Sequence, residues 1–272
     1  MIKNSITFLK IYAEDRLALF FLFILLSLLV FVFIGPYFTL QNPYDLAQLS
    51  ILDSLMPPMS KSFDDEFFYL GTDDQGRDLV SAIIYGLRIS LFVGFLSVII
   101  ALFIGIVLGI ISAYFGGVID SIIMRIADMV LAMPSFLIAL VLLSILGRGL
   151  ENVIIALVMS QWATFARVIR SSALSEKEKD YFNSAKSLCL PQHRIIFGHL
   201  LPNCLPPIIV LSTMNLAFAI TLEASLSFLG VGLPITEPSL GLIISNGYEY
   251  IIVGKYWMSL YPGFFLLITV IS

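Results

Sequence analysis

Charged residues are scarce in this sequence. Asp, Glu, Lys and Arg together make up 12% of its 272 residues, about half of the share that is usual in a soluble domain. Apolar residues make up 59%, and a soluble fold of this length could not bury so much apolar surface and still present a polar exterior. The shortage of charge therefore excludes an ordinary soluble domain and predicts an integral membrane protein. The net charge of −4 argues against nucleic acid as a partner.

Residues and motifs that carry catalysis are also missing. The two histidines, His193 and His199, lie close together in one polar segment, where we interpret them as surface or interface residues. The sequence has no His-Glu-x-x-His zinc motif, no Gly-x-Ser-x-Gly nucleophile turn and no Gly-x-x-x-x-Gly-Lys phosphate loop. We therefore predict no catalytic site, no metal site, no cofactor and no ATP site of the P-loop kind, which makes a membrane-embedded enzyme a poor interpretation.

Six apolar runs are candidates for membrane-spanning helices, each of which needs roughly 20 residues. Basic residues precede the first run, as in a signal peptide, but the run is too long and no small-x-small cleavage site follows it, so we predict a retained helix. The six predicted crossings are Leu17–Ile34, Ser90–Ile111, Ile122–Leu146, Asn152–Ile169, Pro207–Leu229 and Trp257–Ser272.

The sixth run has only 16 residues before the sequence stops. They reach about 24 Å as a helix, against a hydrocarbon core of about 30 Å. Either the gene or chain is truncated, or a natural variant has a last helix that thins the bilayer or ends inside it. Because a terminal carboxylate inside the bilayer is costly, we expect truncation.

Basic residues in the loops predict the orientation. Between Arg167 and His199 there are six basic and three acidic residues, whereas Pro36–Arg88 has three basic and eight acidic ones. The first loop should therefore be cytoplasmic and the second extracytoplasmic, with both termini inside. We accordingly divide the chain into a cytoplasmic N-terminus (1–16), a first transmembrane helix (17–35), an extracytoplasmic loop (36–88) and a core with five further helices (89–272), the last of them incomplete.

The extracytoplasmic loop has helical features near its end. Thr72 and Gln75 have the spacing of a capping box, and apolar residues recur at helical spacing from Val80 to Leu87, with Asp78 and Ser81 on the other face. We expect an amphipathic helix at the membrane surface that leads into the second crossing. Within that crossing, Gly105 and Gly109 form Gly-x-x-x-Gly, which either marks a close helix contact or occurs by chance.

The predicted cytoplasmic loop contains two short helices. Four apolar residues of the first share one helical face: Tyr181, Phe182, Ala185 and Leu188. Pro191 then breaks the chain, and a second helix near Ile195–Leu200 would be closed by Pro202. This pattern fits either a docking surface for a partner or a loop folded back on its own bundle. Cys189 and Cys204, the only cysteines, also lie here, and in the cytoplasm we expect two unpaired thiols.

One ionisable residue, Glu223, lies deep in an apolar run. Such residues are usually functional, so Glu223 is a candidate for the translocation path, although we favour a position at the outer interface. No second ionisable residue in that run offers a partner. The sequence therefore gives little support to a proton-coupled transporter, whereas it is compatible with a passive channel or facilitator.

The cytoplasmic loop resembles the EAA loop of permease subunits in binding-protein-dependent ABC importers. Arg194–Asn203 matches the downstream half of that pattern, with an isoleucine and a Leu-Pro pair in place. The front half departs from it, because Asn183, Ser184 and Cys189 replace the usual glutamate, alanine and glycine.

Further segments resemble the second, C-type permease of the dipeptide, oligopeptide and nickel group. They occur in the expected order along the chain. They are Gly71–Asp78, Tyr85–Leu91, Tyr114–Gly117 with Asp120 and Arg125, Phe165–Arg170, and Glu223–Gly230.

This resemblance implies the fold of a type I importer permease in the bacterial inner membrane. It implies a heterodimer with a second homologous permease, two cytoplasmic ATPase subunits and an external substrate-binding protein, with ATP hydrolysed only by the partners. The 175–203 loop would couple to an ATPase, and peptides would be the favoured substrate class, although the sequence does not distinguish peptide from nickel chelate. The residues that the resemblance assigns to coupling are Tyr181, Phe182, Asn183, Ser184, Ala185, Lys186, Leu188, Cys189 and Arg194.

Overall fold

The computed structural model describes residues 15–45, 49–62, 65–188, 190–234, 236–237 and 239–272, which are mostly helical. The helices are α1 (Arg16–Ile34), α2 (Leu79–Phe115), α3 (Gly117–Leu131), α4 (Ser135–Leu146), α5 (Leu150–Lys177), α6 (Asp180–Ser187), α7 (Gln192–Ile195), α8 (Leu201–Phe228), α9 (Leu240–Tyr248) and α10 (Trp257–Ile271). The smaller elements are 3₁₀ turns at Gly35–Tyr37 and Ile51–Asp53, a π-helical turn at Ile196–Leu200, and an antiparallel pair of strands, β1 (Ser60–Lys61) and β2 (Phe67–Phe68).

The predicted all-α membrane class is confirmed. Within the described ranges, four helical stretches are long and apolar enough to cross a membrane, and a bent pair makes a fifth if it counts as one crossing. The four stretches correspond to the first, second, fourth and fifth predicted runs, and each begins earlier in the chain than predicted. They are Arg16–Tyr37, Leu79–Phe115, Leu150–Lys177 and Gln192–Phe228. The sixth run forms α10, a shorter apolar helix of 15 residues.

The third predicted run is not one straight helix. It forms α3 and α4, which meet at an angle of 89°. Pro134 stands as the N-cap of α4, and a proline there can neither donate a backbone hydrogen bond nor leave the preceding residue in a comfortable helical conformation. The hydropathy pattern predicts a single helix here because the residues on both sides of the proline are apolar.

The predicted amphipathic helix and the second crossing are a single helix, α2, of 37 residues. The predicted capping box is wrong. Asp78, rather than Thr72, caps α2, because its Oδ2 accepts hydrogen bonds from the Ser81 backbone N–H at 2.8 Å and from the Ser81 hydroxyl at 2.6 Å. Thr72 instead donates its hydroxyl to the Asp53 carbonyl at 2.5 Å. Asp78 and Ser81 are therefore buried capping residues rather than part of an exposed polar face.

The prediction that Pro202 closes a short helix is also wrong. The helical path continues from Gln192 through Pro202 to Phe228. The π-helical turn at Ile196–Leu200 lies directly before Pro202, and such a widened turn makes room for a proline ring within a helix. The sequence alone predicts a helix end at this proline, because it does not reveal the local change of helix type.

The chain divides into two compact units, one formed by the residues up to Leu91 together with Ala224–Ser272, and the other by Phe92–Glu223. The first has a core in which α1, the start of α2, α9 and α10 meet. This core includes Leu28, Val32, Leu79, Ala82, Ile83, Leu87, Leu240, Ile243, Trp257 and Met258.

The second unit is organised around α5, which packs against α3 and α4. Buried residues occur along most of α5. The α2 helix also approaches α5 closely, because a Cβ atom added to Gly105 would collide with the Cβ of Phe165, and one added to Gly109 would lie 2.7 Å from the Ala166 carbonyl oxygen. The Gly-x-x-x-Gly pair therefore marks a true helix contact, as small residues do in membranes.

Candidate functional site

The 175–203 segment begins in the last turn of α5 and ends in the first turn of α8. Only Glu178 and Lys179 separate α5 from α6. At this elbow Glu176 accepts a hydrogen bond from the Lys179 ammonium group and another from the Tyr181 hydroxyl, both at 2.7 Å. The carboxylate thus links the end of α5 to the first turn of α6.

Tyr181 acts as a hydrogen-bond donor at this elbow. Burial, followed by the hydrogen bond and negative charge of Glu176, raises the pKa of Tyr181 to about 12. The hydroxyl therefore stays protonated at physiological pH. It points into the chain, so the tyrosine fixes the angle of α6 in addition to any contact that its ring makes with a partner.

The structure separates the residues of the predicted docking face. Phe182 and Ala185 are buried within the chain, Tyr181 is half-buried, and Leu188 is 74% exposed. The periodicity thus correctly identified an apolar side of α6, but much of that side holds the helix against its own chain. Of the other predicted coupling residues, Asn183, Ser184 and Arg194 are exposed. Cys189 and the Lys186 side chain lie outside the described residues.

Two features of this segment were not predicted from the sequence. Phe197 is 69% exposed in the π-helical turn and joins Leu188 as a large apolar side chain open to contact. Its neighbours Ile195 and Leu200, which were predicted, are buried. Glu176 was also missed, and its spacing of three and five residues to Lys179 and Tyr181 was the only available signal.

A second polar cluster lies before α2, in the first unit. The Oδ1 atom of Asp73 accepts hydrogen bonds from the backbone N–H groups of Gln75 and Arg77, both at 2.9 Å. Its other oxygen lies 4.0 Å from the Arg77 guanidinium, and both side chains are almost fully buried. Burial outweighs these favourable contacts and raises the pKa of Asp73 to about 6. Burial also raises the pKa of Asp78.

A family model for the binding-protein-dependent transport system inner membrane component matches residues 105–272. The chain belongs to this family. The matched range includes α5 and the 175–203 segment.

Curated relatives match this chain over nearly its whole length. The permease is 37% identical to the dipeptide transport system permease protein DppC of Bacillus subtilis (strain 168), over 94% of this chain and 77% of the relative. It is 36% identical to the DppC protein of Haemophilus influenzae, over 96% of this chain and 87% of the relative. It is 34% identical to the oligopeptide transport system permease protein OppC of Bacillus subtilis, over 95% and 81%.

A solved structure shows the same fold. The inward-facing MetNI methionine ABC transporter matches with a TM-score of 0.57 over 70% of this chain and 89% of that chain, at 20% identity. The likeness confirms the predicted type I importer permease fold. Membership of the family confirms the prediction of a membrane-spanning importer permease.

Glu223 and Cys204 both lie on α8. Glu223 is fully buried within the chain, with none of its surface exposed. Cys204 is a buried free thiol.

Proposed function

We propose that the permease imports di- or oligopeptides, as half of a translocation pore completed by a second, homologous permease. The observation that carries this proposal is the 34–37% identity to dipeptide and oligopeptide permeases over 94–96% of the chain. Because an external binding protein would select the ligand, the substrate class follows from these relatives rather than from a pocket in this chain.

The proposed orientation places residues 36–88 outside the cell and the 175–203 segment and both termini inside. The excess of basic residues in the 175–203 segment and of acidic residues in 36–88 supports this orientation. Two cytoplasmic ATPase subunits would bind and hydrolyse ATP, and this chain would transmit their movement without an ATPase site of its own.

The 175–203 segment would make the ATPase contact. Exposed Leu188 and Phe197 supply apolar contact area, and Asn183, Ser184 and Arg194 supply a polar surround. An apolar centre with a polar rim is the usual anatomy of a protein interface. Buried Phe182 and Ala185 would hold α6 on its own chain, so that a push on the exposed residues moves α5 as well.

Leu188→Glu tests this contact. We expect the variant to lower ATPase co-purification and transport, because it places a charge in the centre of the interface, while ligand capture by the binding protein is unchanged. Met59→Glu is the matched control, since Met59 is similarly apolar and exposed but lies in the predicted extracytoplasmic loop. A charge at buried Ala185 would be a poorer probe, because it would disturb the packing of α6 itself. Unchanged transport by Leu188→Glu in an intact complex would contradict the proposed contact.

Transport should be measured in proteoliposomes that contain both permeases, the ATPases and the binding protein. Peptide accumulation that requires ATP supports an importer. Downhill flux through the permeases alone, without ATPase subunits, would instead support a passive channel. Dipeptides, longer peptides and nickel chelates are offered in parallel to identify the substrate.

Glu223 is the proposed ionisable residue of the translocation path. Its complete burial within an apolar helix supports a specific role, since a carboxylate is costly to keep away from water. Glu223→Gln preserves shape and removes the charge. We expect slower transport with unchanged ATPase co-purification. Transport at the parent's rate would contradict a role for Glu223 in the translocation path.

A further inference from the structure

The second half of α5 carries basic residues on one side. Arg167, Arg170 and Lys177 are separated by three and seven residues, which places them near one another on a helix. The proposed function assigns them no task beyond positive charge in a cytoplasmic region. In the structure, however, each one contacts α2 or α3.

The contacts of Arg170 and Lys177 lie at the elbow between α2 and α3. Gly116 and Gly117 have φ angles of +66° and +57°, which glycine adopts without a steric penalty. The turn brings two helix ends of opposite partial charge together, because α2 ends there with unpaired carbonyl groups and α3 begins there with unpaired N–H groups.

Lys177 neutralises the first of these helix ends. Its ammonium group donates a hydrogen bond of 2.6 Å to the Ala113 carbonyl and lies 3.4 Å from the Tyr114 carbonyl. Both carbonyl groups belong to the last turn of α2. A cation at this position satisfies acceptors that have no partner within the helix and complements the helix dipole.

Asp120 occupies the first turn of α3, where a negative charge is favourable. Arg170 donates from Nε and Nη2 to the two carboxylate oxygens of Asp120 at 2.5 and 2.6 Å. This forked geometry fixes orientation as well as distance. Ser112, from the end of α2, also donates its hydroxyl to Asp120, so the carboxylate joins all three helices.

We propose that Asp120, Arg170 and Lys177 form an elbow clasp, which makes the α2–α3 elbow move as one body with α5 and the 175–203 segment. Lys177 is the last residue of α5, and α6 begins three residues later. Glu176, the neighbour of Lys177, already holds the start of α6. The clasp residues are thus positioning residues for coupling. This inference rests on the proposed ATPase contact of the 175–203 segment.

A double-mutant cycle in the intact reconstituted complex tests the clasp. Peptide transported per ATP hydrolysed is measured for Asp120→Asn, Arg170→Gln and the double variant. We expect each single variant to lower this ratio by about fivefold or more, the factor that corresponds to about 1 kcal/mol. The double variant should be no worse than the more damaging single variant, because both remove the same interaction. Losses that multiply in the double variant would overturn the proposal.

The chain offers a matched control on the same two helices. Arg167 also pairs with Asp128 of α3, but these side chains are 52% and 60% exposed, against 31% and 21% for Arg170 and Asp120. Exposed pairs contribute little, so Asp128→Asn should change the ratio by less than about twofold. Equal losses for Asp128→Asn and Asp120→Asn would contradict a specific clasp.

Lys177 provides a separate test that does not depend on the carboxylate. Lys177→Met should lower the peptide transported per ATP hydrolysed. Lys177→Arg should retain most of the parent's ratio, because it keeps a cation at the α2 terminus. Subunit stoichiometry is measured in every variant to show that the complex is assembled. Leu188→Glu separates the two proposals. If it has no effect, the ATPase contact fails, and if it blocks transport while Asp120→Asn does not alter the ratio, the clasp alone fails.

Discussion

The Tyr181 hydroxyl donates a 2.7 Å hydrogen bond to the Glu176 carboxylate across the junction of α5 and α6. Lys179 contacts the same carboxylate. We therefore expect Glu176→Gln to loosen α6 more than Tyr181→Phe, because Glu176→Gln weakens two charge-assisted contacts whereas Tyr181→Phe removes only one. Hydrogen exchange of residues 180–188 checks this order, and equal exchange in both variants and the parent would contradict it.

The close approach of α2 and α5 makes Gly105 intolerant of a side chain. Gly105→Ala places a methyl group against the Phe165 Cβ, so the two helices must separate and the complex should lose thermal stability. Gly263→Ala in α10 is the matched control, since a Cβ there has nothing within 4 Å and alanine favours helix over glycine. Thermal unfolding of the purified complex checks both variants. A Tm reduced equally in both would point to a general effect of replacing glycine in a helix.

Asp73 should make the loop before α2 sensitive to pH. Its pKa is raised to about 6 in the folded state, above an unfolded value of about 3.9. The folded state therefore binds the proton more tightly, and its stability declines as pH rises through this window and stays level above it. Hydrogen exchange of residues 65–78, corrected for intrinsic rates, should show more protection at pH 4 than at pH 7.

Asp73→Asn should remove most of that pH dependence, because asparagine keeps an acceptor and cannot titrate. Asp65→Asn is the control, since the Asp65 side chain is 92% exposed. Protection that still falls with pH in Asp73→Asn would assign the effect to another carboxylate, since burial also raises the pKa of Asp74 and of Asp78.

Cysteine labelling checks the proposed orientation. In a background with Cys189 and Cys204 replaced by serine, Lys61→Cys should react with an impermeant reagent added outside, whereas Ser184→Cys should react only after the membrane is opened. Both sites are exposed in the structure. The reverse pattern would invert the topology.

Sequence patterns predicted the apolar helices well because a membrane crossing imposes length and composition on consecutive residues. The Gly105 and Gly109 pair was also visible, although only the structure identified α5 as its partner. The cap of α2 could not be predicted, since Thr72 and Asp78 offer similar local chemistry and the Asp53 carbonyl is distant in sequence.

The candidate site shows the same division. Apolar spacing located α6, but it could not tell which of Phe182 and Leu188 faces the chain, because both outcomes produce the same period. The two prolines also have different outcomes that the sequence does not distinguish: the helix bends at Pro134 but continues across Pro202. A proline breaks a helix or is accommodated in it according to the local hydrogen bonding, which the sequence does not show.

The burial of α5 has a consequence for biosynthesis. Of the four long stretches, α5 is the least apolar, and two thirds of its most apolar window is buried within the chain, whereas only 11% of the α1 window is buried. A nascent α1 can partition into lipid by itself, but α5 carries Arg167 and Arg170 and gains less from lipid. Its packing partners α3 and α4 precede it in the chain and leave the ribosome first. We therefore expect α5 to be retained in the bilayer only once α3 and α4 are present to receive it.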